Sequence, residues 1–290
     1  MLHCAPEVDV QRQQRPAGAG HVGDRMKLHR RTVWLDGRAR TVISPRAGTD
    51  CRFSTNFHHG TWHILGDWRS ARLLGRLLWG LSFQRRQDTL VVIDLPHIDP
   101  NPFDAAPGDP IVLMPSDLTG MSTRAFRDLR RQLPLRGAPE GTVRWHTHGL
   151  DPVAAERAIP WYERTRSVES PPFVPARRPR TQIGRVGGLL ALTASAPDLR
   201  AYAPGVYLLG QNAHRGMDYL ELEWPEGEVQ VFNDYRHRVS AARAARRELI
   251  AEGNDPAGAR FDELVWDRGD DVRRRALRPI ASVGERSPRD

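Results

Sequence analysis

Residues 32–35 and 39–43 are runs of apolar and β-branched side chains on either side of Asp36-Gly37, a dipeptide suited to the left-handed positions of a type I′ turn, so the chain opens with a predicted hairpin. From residue 67 the period lengthens. Leu74, Leu77, Leu78 and Leu81 recur at helical spacing behind Asp67, which can cap the first turn, while Arg69, Arg72 and Arg76 share another face. Residues 89–93 and 111–114 are short unbroken apolar runs, the pattern of strands buried on both faces. Ser122 is placed to cap a helix over 123–133 that Pro134 stops, and a strand is expected over 142–146. Residues 206–209 read as another strand, and 219–224 with 229–232 as a hairpin turning at Pro225-Glu226-Gly227. Acids alternating with arginines predict solvated amphipathic helices over 240–252, 259–266 and 271–277.

Strands and helices alternating from Asp67 to Trp145 predict an α/β fold: a mixed, partly parallel central sheet with flanking helices, β-hairpins at its sides and a helical C-terminal region. Residues 1–25 are rich in Gln, Arg, Pro and Gly without apolar periodicity and read as a disordered leader, with Met26 a candidate start. Residues 26–163 then form the first half of the α/β domain. In 164–182, Pro171, Pro172, Pro175 and Pro179 stand among arginines as a linker or an extended excursion. Residues 183–290 form an α+β region, either completing the same domain or separate from it.

Composition narrows the class. A chain of 290 residues that is 39% hydrophobic can bury a sizeable core. It has no apolar run near the roughly 18 residues that span a bilayer, and residues 1–25 hold no secretory h-region, so a soluble, cytoplasmic protein without membrane association is expected. Cys4 and Cys51 lie far apart, which supports neither a disulfide framework nor a zinc cluster. The net charge of +8 is uneven: residues 1–40 hold eight bases against four acids, and residues 164–185 hold six bases against Glu169 alone. The rest is close to neutral, so an acidic partner or nucleic acid would be met by the Arg-rich segments rather than by the folded body.

Ligands of open α/β sheets bind outside the carboxyl ends of the strands. The polar residues expected there are Asp94, His97 and Asp99, then Ser116 and Asp117, then His146 and His148, and finally Asn212 and His214. His146-Thr147-His148 is the sharpest signal, because residues two apart on a strand share a face and can both reach a divalent metal. Asp94, His97, Asp151 or His214 could complete such a site, and Asp94 or His97 could instead act as the base. The spacing does not fit the His-x-His-x-Asp-His signature of metallo-β-lactamase-like hydrolases: the acid is displaced to Asp151, and Pro152 occupies the next histidine position. His58, His59 and His63 near Trp62 are a second group, read as structural or surface histidines on a loop entering a short strand. Gly184, Gly187 and Gly188 lack a preceding strand and a Walker lysine and are assigned to tight packing, not phosphate binding. Trp34, Trp68 and Trp79 are expected in the core, and Trp161-Tyr162 at a binding surface. The leading expectation is a small-molecule site at the strand ends, in the form of a metal-assisted hydrolase with metal at His146, His148 and His214. The alternative is a noncatalytic protein that binds an acidic partner or nucleic acid through its Arg-rich segments.

Overall fold

The structure, a computed structural model, describes residues 26–157, 181–211, 216–223, 227–258 and 260–277. Strands β1 (Lys27–Leu35) and β2 (Arg38–Ser44) form the opening hairpin, with Asp36 and Gly37 at φ of 51° and 73° as a type I′ turn requires. A second hairpin, β3 (Phe53–His58) and β4 (Thr61–Gly66), turns at His59-Gly60. Helix α1 (Trp68–Leu81) starts where Asp67 accepts a hydrogen bond from the Ser70 amide at 2.9 Å and buries Leu74, Leu77, Leu78 and Leu81. Then come β5 (Thr89–Ile93), β6 (Ile111–Pro115), α2 (Thr123–Gln132), capped by Ser122, β7 (Gly141–Arg144) and α3 (Leu150–Arg157).

The second half supplies β8 (Gln182–Val186), β9 (Leu189–Ala194), α4 (Ala196–Leu208), β10 (Met217–Glu223), β11 (Gly227–Phe232), α5 (Tyr235–Ala251) and α6 (Phe261–Leu277). The fold is mixed α/β, and its main sheet has seven strands in the order β7-β1-β2-β5-β6-β9-β8. The pairs β2–β5 and β6–β9 are parallel and the others antiparallel. A second sheet, β10-β11-β4-β3, was not expected: the hairpin β10–β11 pairs in parallel with β4 instead of flanking the main sheet.

Alternation along the strands distributes the core. Ile43, Val91, Ile93, Ile111, Leu113, Leu190 and Leu192 on one face of the main sheet join α1, α4 and the inward-facing Ile64, Val229 and Val231 of the second sheet. Val42, Leu90, Val92, Val112 and Met114 on the opposite face pack with Ala125, Phe126 and Leu129 of α2. On the outer face of the second sheet, Leu65 and Phe232 meet Tyr235 and Val239 of α5. No helix among the described residues is long and apolar enough to cross a membrane.

Several sequence readings need correction. Residues 206–209 are not a strand, because Ser195 caps α4 and Leu199, Ala203 and Val206 fall on one buried helical face, which outweighs the β propensity of Val-Tyr. The runs expected as two helices over 259–266 and 271–277 are the single helix α6, and α5 buries Val239, Ala242 and Ala245 instead of lying solvated. Gly187-Gly188 does follow a strand and forms the β8–β9 turn, at φ of 61° and 82°. Trp79 is buried, but Trp34 and Trp68 are 68% and 38% exposed. The leader 1–25, residues 158–180 with Trp161-Tyr162, and His214 lie outside the described residues.

Candidate functional site

In the main sheet β7, β2 and β5 run the same way, so His146 and His148 beyond β7 share an edge with Asp94 and His97 beyond β5. Three strand spacings separate the two pairs, a lateral offset of about 14 Å. Since β6 runs the other way, Ser116 and Asp117 lie at the opposite edge, and they do not join the strand-end cluster the sequence suggested. β7 stops at Arg144, which leaves His146 and His148 on exposed irregular backbone with ring centroids 6.5 Å apart, His146 resting on Phe83. Among the described residues no group of three His, Cys, Asp or Glu side chains is arranged to hold a metal.

Asp94 and His97 are both buried. Asp94 accepts a hydrogen bond from the Leu135 amide at 3.0 Å, and burial raises its carboxyl above the ordinary range. His97 Nδ1 lies 3.5 Å from Cys51 Sγ, burial lowers its imidazole, and the Cys51 thiol is pushed up to about 12, also by burial, so this pair holds no ready thiolate. Asp94 lines a cavity of about 370 Å³ with Asp99, Arg130 and Arg243, which His97 does not reach.

A larger cleft of about 680 Å³ opens over the second sheet. Strand parity builds its floor. Ile64, Val229 and Val231 point into the core, so His63, Glu228 and Gln230 point outward, beside Asn56 of β3, which is paired with His63. Segment 101–109 and the first turns of α6 form the walls, contributing Phe103, Asp104, Asp262, Glu263 and Trp266. Phe103 and Trp266 stack with centroids 4.7 Å apart, and Phe57 and Trp62 meet at 4.8 Å at the hairpin end. Asn101 shapes the wall by accepting the Phe103 amide at 3.0 Å and donating to Asp104 at 3.0 Å.

Both ring nitrogens of His63 are engaged: Nδ1 lies 2.7 Å from Asn56 Oδ1 and Nε2 lies 3.0 Å from Glu228 Oε1. Gln230 donates to the same Glu228 oxygen. Burial lowers the His63 imidazole, helped by His58 and His59 and opposed by Glu228. A neutral ring satisfies both neighbours with its proton on Nε2, donated to Glu228, while Nδ1 accepts from the Asn56 amide after a half-turn that exchanges that group's two ends. Such a ring has no nitrogen left for a substrate proton. Among the described residues the only hydroxyl in the lining, on Thr55, accepts from the Asp109 amide at 2.7 Å and has no base beside it to activate it. Burial raises the Asp104 carboxyl, with the Asp262 charge adding to the shift and the Ala106 amide and Arg246 opposing it.

The histidine group around Trp62 was legible as a loop entering a short strand, but not that the hairpin pairs His63 with Asn56. Glu228 and Gln230 were missed. Their signal was polar residues at alternate positions of a strand whose Val229 and Val231 are apolar. No protein-family model matches the chain, and neither a curated protein nor a solved structure matches it.

Proposed function

We propose that the protein binds a small organic molecule in the cleft over the second sheet, as a binding protein rather than a hydrolase. The observation that carries this reading is the cleft's make-up: about 680 Å³ walled by two aromatic pairs, with Asn56 and His63 in its floor and Glu228 hydrogen-bonded to His63. That volume suits a ligand of drug-like size, and the aromatic walls supply apolar contact at little entropic cost. The engaged ring of His63 and the engaged hydroxyl of Thr55 favour recognition over bond cleavage. Metal-assisted hydrolysis at His146 and His148 has no third ligand among the described residues to support it. Partner binding by the Arg-rich leader 1–25 and the Arg/Pro stretch 164–180 concerns residues outside those described.

The test is saturation-transfer NMR with 2-phenylethanol as a neutral aromatic probe, on the full chain and on Trp266→Ala. Trp266 is 47% exposed, so its removal spares the core. Transfer should be strong for the parent and largely lost in the variant while its circular dichroism stays native. Equal transfer in both would remove the cleft as the binding site.

A further inference from the structure

We propose that the ligand of this cleft is an organic cation, an amine carried on a ring or another apolar body. This deepens the reading of the cleft as a ligand site and rests on it. Among the described residues the lining carries four carboxylates, Asp104, Asp109, Asp262 and Glu263, against one guanidinium, that of Arg185. Arg185 is spent on Asp109, with Nε 2.7 Å from one carboxylate oxygen and Nη2 3.2 Å from the other. Asp262 and Glu263 also have arginine neighbours, Arg246 at 3.6 Å and Arg260 at 3.2 Å, but neither arginine lines the cleft. Their carboxylates, and not those guanidinium groups, are what the described lining presents to anything bound.

Among the described residues no arginine is hydrogen-bonded to the Asp104 carboxylate. Its oxygens accept from Asn101 Nδ2 at 3.0 Å and from the Ala106 amide at 2.6 Å, while Arg246 donates to its backbone carbonyl instead. Glu228 adds a further acid behind His63. The interior of the cleft is thus electronegative, and low-dielectric walls concentrate that field. The rings of Phe57, Trp62, Phe103 and Trp266 add electron-rich faces, which attract a cation and are indifferent or unfavourable to an anion. An ammonium on an apolar body meets both features of the lining at once. A carboxylate or phosphate of the same size would meet like charges with no unspent guanidinium among the described lining residues to receive it.

Three probes of nearly one shape separate the possibilities: phenethylamine, 2-phenylethanol and 3-phenylpropionate, titrated calorimetrically into the full chain at low ionic strength. The amine should bind tightest, by roughly threefold or more over the alcohol, with the propionate weakest. The preference should shrink as salt is raised. In the double variant Asp262→Asn, Glu263→Gln the amine should lose roughly threefold or more while the alcohol is unchanged. Both side chains are about two-thirds exposed, so the variant should fold normally. Equal or better binding of the propionate, still abolished by Trp266→Ala, would overturn the cation assignment and leave the cleft standing as a ligand site. Binding of all three probes unaffected by Trp266→Ala, or no binding of any, would overturn both.

Discussion

Glu228→Gln isolates the charge that the sheet floor holds against His63. In the parent, Nε2 of His63 lies 3.0 Å from Glu228 Oε1, with both side chains largely buried. If the ring is neutral, as burial favours, the variant keeps an oxygen that accepts the Nε2 proton and loses only the strengthening that a charged acceptor gives. That loss is about 1 kcal/mol. If the ring were an imidazolium, the variant would strand a buried cation, at a cost of about 3–5 kcal/mol. The two states are well separated. Urea unfolding followed by circular dichroism at pH 7.5 should show a midpoint shift worth about 1 kcal/mol at unchanged slope, with Tm lower by about 2–4 °C. The pH dependence gives an independent check. A folded imidazole pKa below the ordinary 6.5 means that the unfolded chain binds the proton first, so stability is full above that value and is lost as pH falls. Glu228 opposes the lowering, so removing its charge should depress the imidazole further and steepen the loss between pH 7 and 5. A cost near 4 kcal/mol, or an unchanged acid limb, would refute a neutral His63 and with it the argument that its nitrogens are fully engaged.

Gly75→Ala should destabilise despite lying in a helix: its methyl would sit 2.7 Å from Tyr207 Cβ and 2.8 Å from the Ala203 carbonyl oxygen, where α1 crosses α4. Overpacking of about 1–3 kcal/mol outweighs a propensity gain of roughly 1 kcal/mol, so a higher Tm would show that the crossing yields. Asp94→Asn should raise Tm at pH 7, because it removes a charge that burial disfavours while keeping an acceptor for the Leu135 amide. The raised carboxyl contributes stability that is complete below pH 3.8 and lost as pH climbs through its folded value. The variant's advantage should accordingly fade toward pH 3.5, and a constant difference across that range would contradict the burial argument. His97→Asn should flatten part of the loss between pH 7 and 5, since burial also holds this imidazole low; an unaltered profile would show that His97 does not titrate on unfolding.

Helix α1 was legible because its signals are local: Asp67 caps it and its leucines mark one face over consecutive turns. The opening hairpin was legible for the same reason, since Asp36-Gly37 fixes its turn and register together. The second sheet was not, because it depends on β4 pairing in parallel with β11, more than 160 residues away, with Trp62 opposite Gly227 and Ile64 opposite Val229. Nothing within a window of either strand specifies that pairing. Residues 206–209 failed in a related way, since the helix they belong to is set from Ser195, well upstream of their own β-branched and aromatic side chains.

The site was hidden by the same non-locality, because Asn56, His63, Glu228 and Phe103 come from segments that meet only once both sheets are formed. One trace of it is nevertheless written into the strands. On the outer face of the second sheet, Leu65 and Phe232 are packed under α5, while His63, Glu228 and Gln230 occupy the same face further along the same two strands. Apolar side chains there could extend that core, at roughly 1.5–3 kcal/mol for each fully buried residue. The chain instead carries polar groups that must satisfy one another, His63 to Asn56 and Glu228, and Gln230 to Glu228. Local rules broken against stability are expected at functional positions. The point along β4 and β11 where the face turns from apolar to polar is also where the cover of α5 gives way to the open cleft. That coincidence supports the proposed reading, in which this part of the face was left polar for a ligand and not for the core.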